Sequence, residues 1–152
     1  MSTNVIKKSH NVSQLLYHLV CPAKYRRLVF KEIQGVDQEI KNICLEIEKR
    51  YDLHFVEIGT DENHVHFLIQ SVPMFSPTNI AKIVKSVTAR EIFQRKPGIK
   101  KMLWGGEFWT KGYFINTVGA SGNEEIIKKY IANQGLKYQS IYTNQLKLFE
   151  GL

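Results

Sequence analysis

Two runs of strand-forming residues, Leu53 to Thr60 and His64 to Val72, stand on either side of the short turn signal Asp61-Glu62-Asn63. A connection that short makes the runs neighbours, so they predict an antiparallel β-hairpin. On each side of the hairpin lies a segment of helical period. From Val36 the apolar positions Ile40, Ile43 and Ile47 recur to about Arg50, which predicts a first helix. After the hairpin, Ser76-Pro77 supplies a capping residue and a proline at the first helical position. Ile80, Ile83, Val84 and Val87 then share one face of a second helix that ends before Pro97-Gly98.

Residues 12 to 20 are rich in Val, Leu and Tyr and run into Cys21-Pro22, which predicts a first strand followed by a basic turn. Tyr113 to Val118 predicts a fourth strand. Asn123-Glu124-Glu125 opens a last helix, with a cap and acidic residues that suit a helix N-terminus. The order is strand, helix, strand, strand, helix, strand, helix. Its first six elements match the ferredoxin-like split βαβ arrangement. The expected fold class is therefore α+β: a ferredoxin-like (RRM-like) antiparallel sheet with two helices on one face and one added C-terminal helix. Without an internal repeat or low-complexity linker, residues 1–152 are expected to form a single domain.

At 152 residues and 43% hydrophobic, the chain can bury a core. Its apolar segments are short and broken by charges, so no membrane helix is expected. Met1-Ser2-Thr3-Asn4 lacks the apolar stretch of a secretory signal, and a cytoplasmic location is the expectation. Cys21 and Cys44 are widely separated and read as reduced and structural.

The net charge of +7 is concentrated. Between residues 82 and 111 stand Lys82, Lys85, Arg90, Arg95, Lys96, Lys100, Lys101 and Lys111 against Glu91 and Glu107 alone, and Lys24-Tyr25-Arg26-Arg27 forms a second basic knot. Such clustering suits a polyanionic partner, whose phosphates release counterions on binding; a solvated helix face is the other explanation.

His64 and His66 flank Val65 on a predicted strand, so both imidazoles project from one face. Two imidazoles side by side can share a metal ion, although a coincidental H-x-H is as compatible with the spacing. A catalytic metal needs a further ligand and an open position. Tyr130 and Gln134, one helical turn apart, offer a phenol oxygen and an amide carbonyl from a shared face, or Tyr130 simply packs beside Ile127 and Ile131.

Four blocks in order then carry a resemblance across nearly the whole chain: Tyr17-His18-Leu19-Val20 leading into Lys24-Tyr25-Arg26-Arg27; Asp61-Glu62-Asn63-His64-Val65-His66-Phe67-Leu68-Ile69; Phe108-Trp109-Thr110-Lys111-Gly112-Tyr113; and Ile127-Lys128-Lys129-Tyr130-Ile131-Ala132-Asn133-Gln134. In these the chain resembles the single-tyrosine HUH transposases of small bacterial and archaeal insertion sequences. The resemblance implies a homodimer in which the last helix can dock against the partner subunit, making each active site composite. It implies that His64, His66 and Gln134 hold a divalent metal, Mg2+ or Mn2+, and that Tyr130 is the nucleophile, with Asp61 or Asn63 assisting. It further implies a single-stranded DNA substrate with hairpins at the element's ends, cut and rejoined through a 5′-phosphotyrosine.

Lys24, Arg26, Arg27, Lys82 and Lys85 are the candidates for DNA-backbone contacts. Trp104, Phe108, Trp109 and Tyr113 could stack on bases or fill the core, with at least two expected in the core. Two alternatives share parts of this reading: a domesticated enzyme that processes chromosomal palindromes with the same tyrosine chemistry, and a non-catalytic ferredoxin-like nucleic-acid module.

Overall fold

The computed structural model describes residues 5–103, 106–118 and 139–144. A small ribbon comes first, β1 (Ile6–Lys8) paired antiparallel with β2 (Asn11–Ser13). The main sheet then begins with β3 (Leu15–Pro22). The first strand expected over residues 12 to 20 is thus divided at Gln14: Val12 serves the ribbon, and the strand of the main sheet extends to Pro22.

A single 3-10 turn at Lys24–Arg26 and a short helix α1 (Val29–Glu32) lead to α2 (Val36–Arg50), whose bounds agree with the helical period. Gly35, with φ at 85°, takes the left-handed conformation that turns the chain into this helix. The hairpin forms as β4 (His54–Thr60) and β5 (His64–Ser71). Next comes α3 (Pro77–Arg95), with Pro77 in its first turn and the Ser76 hydroxyl accepting the Asn79 amide at 3.1 Å. After the short α4 (Ile99–Met102) come β6 (Phe114–Thr117) and β7 (Gln139–Thr143).

The main sheet has the strand order β6-β3-β5-β4-β7, and every neighbouring pair is antiparallel. Among the described residues it holds five strands where four were expected. The addition is β7, which pairs with the outer edge of β4. The last helix expected from Asn123 onward lies outside the described residues.

Alternation along the strands separates two faces. Tyr17, Leu19, Cys21, Val65, Phe67 and Ile69 join Ile40, Ile43 and Ile47 of α2 and Ile80, Val84 and Val87 of α3 in one buried cluster. Both long helices therefore cover the same face. Each fully buried Ile or Phe there stabilises the fold by about 1.5–3 kcal/mol relative to exposure. Leu16, Val56, Leu68 and Val118 form a smaller cluster on the opposite face.

Phe108 and Trp109 are buried in the main core, and the Trp109 indole N–H donates to the Thr88 hydroxyl at 2.9 Å. Both cysteines are buried and free, and burial pushes the Cys21 thiol up to about 12. No helix among the described residues is long and apolar enough to cross a membrane.

Candidate active site

The two histidines of β5 lie on the sheet face away from α2 and α3, because their strand neighbours Val65 and Phe67 point into the helix-covered core. The turn before them is fixed from several directions. Asp61 N–H donates to His64 C=O at 2.9 Å, Ala23 N–H to Asn63 C=O at 2.8 Å, and Phe30 N–H to Glu62 C=O at 3.2 Å. His64 therefore sits at a braced strand end, and its Nδ1 lies 2.7 Å from the Asn63 side-chain oxygen.

The Nε2 atoms of His64 and His66 face each other 3.0 Å apart. Two nitrogens on adjacent positions of an octahedral divalent ion, each about 2.1 Å from it, would be separated by about 3.0 Å. The donor chemistry and spacing of this pair thus suit one divalent cation. Among the described residues no group of three or more His, Cys, Asp or Glu side chains is arranged to hold a metal, so any third ligand has to come from elsewhere. Asp61 Oδ2 is 3.8 Å from His64 Nε2, near enough to act on its charge.

A third imidazole belongs to the same group. His18 on β3 is buried, its Nε2 lies 2.9 Å from His66 Nδ1, and the two rings lie edge to edge in nearly one plane, with centroids 5.2 Å apart and planes 7° from parallel. The register places Val20 opposite His66 and His18 opposite Leu68, so His18 is the diagonal cross-strand neighbour of His66. The sequence reading gave His18 no role, since a lone histidine inside Tyr17-His18-Leu19-Val20 has no local partner. Alternation alone marked it as facing away from Leu19; only strand pairing identified what it meets.

All three imidazoles are held below the usual histidine range. Burial lowers His66 to about 4, helped by neighbouring His64 and His18. Burial also lowers His64, with Asp61 opposing and Arg26 reinforcing the shift, and lowers His18 against a hydrogen bond from Asn116. The rings are therefore neutral at pH 7, the form that donates a lone pair to a metal.

Beside His64 opens a cavity of about 380 Å³ lined by Val20, Pro22, Arg26, Thr110, Tyr113 and Phe114, among others. Arg26 reaches it from a turn in which both Tyr25 (φ 58°) and Arg26 (φ 51°) adopt the left-handed conformation. Consecutive non-glycine residues there are costly and tend to mark functional sites. Tyr113 and Phe114 are exposed aromatics at its mouth.

A second, larger cavity of about 600 Å³ lies along α3 and shares Thr110 and Tyr113 with the first. Lys82 and Lys85 line it. The Lys85 ammonium is already engaged by the carbonyls of Thr110, Lys111 and Gly112 at 2.8, 3.0 and 3.4 Å, bracing the loop between the cavities. Lys24 pairs with Glu107 at 2.7 Å, while Arg26 and Arg27 are exposed. Of the five expected DNA-contact residues, Arg26 shares the smaller cavity with His64, Lys24 and Arg27 flank it in sequence, and Lys82 and Lys85 line the larger cavity. Tyr130, Gln134 and Trp104 lie outside the described residues.

An antiparallel sheet with two helices on one face carries converging imidazoles on the other, and basic residues line the cavities beside them, an arrangement that suits a polyanionic substrate. Residues 11–134 match the family described as Transposase IS200 like, and the chain belongs to that family. It is 33% identical over 123 residues to the ISDra2 transposase TnpA of Deinococcus radiodurans, a match covering 81% of this chain and 86% of that one. It is 26% identical over 120 residues to the transposase for insertion sequence element IS200 of Salmonella typhimurium, covering 78% and 75% of the two chains.

Among solved structures, a crystal structure described as a transposase of Deinococcus radiodurans superposes with a TM-score of 0.67 at 30% identity, over 84% of this chain and 96% of the other. A REP-associated tyrosine transposase bound to a REP hairpin shares the fold, with a TM-score of 0.51 at 6% identity over 82% and 67% of the chains. The protein is thus a Y1 transposase of the IS200 type, a class that cleaves DNA and transfers strands.

Proposed function

We propose that this transposase cuts and rejoins single-stranded DNA at the ends of an insertion sequence, with His64, His66 and Gln134 holding Mg2+ or Mn2+ and Tyr130 as nucleophile. The observation that supports it most directly is the 3.0 Å separation of the two Nε2 atoms on the sheet face away from α2 and α3. A divalent cation supplies a positive charge that polarises a non-bridging phosphate oxygen and offsets charge in the transition state. The protein side chains do the rest. His64 is oriented by Asn63, and Arg26 offers a guanidinium to the phosphates of a strand entering the neighbouring cavity. Tyr113 and Phe114 present ring faces on which an unstacked base can lie.

The Tyr130 phenol oxygen attacks phosphorus in line, losing its proton. The bond from phosphorus to the 3′ oxygen breaks and that oxygen leaves as a hydroxyl. The resulting 5′-phosphotyrosine conserves the bond energy, so a later attack by a 3′-hydroxyl joins strands without ATP. Hairpins at the element ends would bring the cleavage sites to the protein, Lys24, Arg26, Arg27, Lys82 and Lys85 would contact their backbones, and the protein would act as a homodimer with composite sites. A mobile element and a domesticated one share this chemistry, and flanking copies of short hairpins around the gene would favour the mobile element.

Labelled single-stranded ends from the gene's own flanks, incubated with protein and Mg2+ or Mn2+, should yield a covalent adduct that survives denaturation. Tyr130→Phe should form none; an adduct from that variant would sink the nucleophile assignment. Mixing Tyr130→Phe with His64→Ala should restore activity if the two residues meet across a dimer interface, whereas no restoration would indicate sites assembled within one subunit.

A further inference from the structure

We propose that His18 is a positioning residue for the metal pair: by accepting the Nδ1–H of His66 it leaves the His66 Nε2 lone pair facing His64 Nε2. This inference rests on the metal reading above, and begins from the hydrogen-bond accounting of three rings. The side-chain oxygen of Asn63 can only accept, so His64 donates to it from Nδ1 at 2.7 Å. A neutral His64 then carries a lone pair on Nε2.

His66 has two arrangements. With its hydrogen on Nε2, it donates to His64 Nε2 across the 3.0 Å gap, and a cation is shut out. With its hydrogen on Nδ1, it requires an acceptor on that side, and the atom there is His18 Nε2 at 2.9 Å. His18 can serve both arrangements, because a neutral imidazole exchanges donor and acceptor between its nitrogens. Asn116, hydrogen-bonded to the same ring, has an amide that offers both a donor and an acceptor. The row Asn116–His18–His66 can therefore reverse its hydrogen-bond direction with no change in net charge. Cation binding selects the direction in which both Nε2 atoms are bare.

The near-coplanar, edge-to-edge arrangement of His18 and His66 aims the shared hydrogen bond along both ring planes, where the nitrogen lone pair and the N–H lie. Outer-shell partners that fix a ligand histidine in this way typically alter metal affinity 10- to 100-fold. The full-length protein tests the idea. Mn2+ affinity is measured by calorimetry for the natural protein, His64→Ala, His18→Phe and His18→Gln, with 15N NMR of the histidine rings before and after Mg2+.

Expected are near-complete loss of binding in His64→Ala, a loss of about 10- to 100-fold in His18→Phe, which keeps the ring but not the nitrogen, and partial recovery in His18→Gln. In the natural protein the His66 hydrogen should move from Nε2 to Nδ1 on Mg2+ addition, a readout that holds even should His18→Phe fail to fold. Unchanged Mn2+ affinity in His18→Phe, or a His66 tautomer indifferent to Mg2+, overturns the role of His18 while His64→Ala still upholds the metal reading. Natural protein that binds no Mn2+, or binds it equally well as His64→Ala, overturns both.

Discussion

The two faces of the main sheet obey different rules although they share the same strands. On the face beneath α2 and α3, Tyr17, Leu19, Val65, Phe67 and Ile69 are packed against the helices, and apolar volume is what counts. On the other face the same strands bring His18, His64 and His66 together with nitrogens 2.9 and 3.0 Å apart. There, burial works against charge and holds the imidazoles neutral. Stability is concentrated on one face and chemistry on the other, and neighbouring residues such as His66 and Phe67 belong to different halves of that division.

The sharpest way to break the comparison is to substitute those two neighbours. His66→Ala should reduce strand cleavage by more than about 100-fold, beyond the loss an outer-shell change produces. Its unfolding midpoint should remain close to that of the natural protein. Phe67→Ala should do the reverse, costing about 3–5 kcal/mol of stability through the cavity it leaves. At about 2–4 °C per kcal/mol for a chain of this size, its thermal midpoint should fall by roughly 10 °C, with cleavage by the folded fraction preserved. Equal stability losses in both variants would dissolve the distinction between the faces.

Acid should act through the histidine face. The three rings have folded values below the usual 6.5, with His66 near 4, whereas in the unfolded chain they take up protons below about 6.5. The unfolded state thus binds more protons in that window. The stability contributed by the neutral rings is complete above about pH 6.5 and is lost as the pH falls through their lowered folded values, about 4 for His66. Thermal melts from pH 7 to pH 4 should show the midpoint falling, and His18→Phe, with one titrating ring removed, should fall less steeply.

The smallest effect belongs to the helix-covered side. Ser76→Ala removes the cap on the Asn79 amide and should cost about 1 kcal/mol, read in a denaturant melt, with no change in cleavage.

Much of this division was legible before strand pairing was known. Ser76-Pro77 marked the start of α3, Ile40, Ile43 and Ile47 marked the buried stripe of α2, and Asp61-Glu62-Asn63 marked the turn between β4 and β5. These are local signals, carried by residues within a turn or two of one another. Phe108 and Trp109 were ambiguous because an aromatic side chain suits a core and a stacking surface equally; their burial, and the Thr88 hydroxyl beneath the indole, decided it. The break at Gln14 and the addition of β7 were not legible. Short edge pairings depend on a partner strand far away in sequence, and Gln139–Thr143 has too few residues to announce a strand by period alone.

By itself, the sequence determined that His64 and His66 share a face, because side chains two apart on a strand always do. Its four ordered blocks also pointed to the transposase family, to which residues 11–134 proved to belong. Tertiary structure alone decided that His18, 48 residues from His66, completes the row of imidazoles. That contact depends on the register of β3 against β5, and a slip of one residue would turn His18 toward the other face. The register is held by the apolar residues on the opposite face, so the core beneath the helices places the histidines above it.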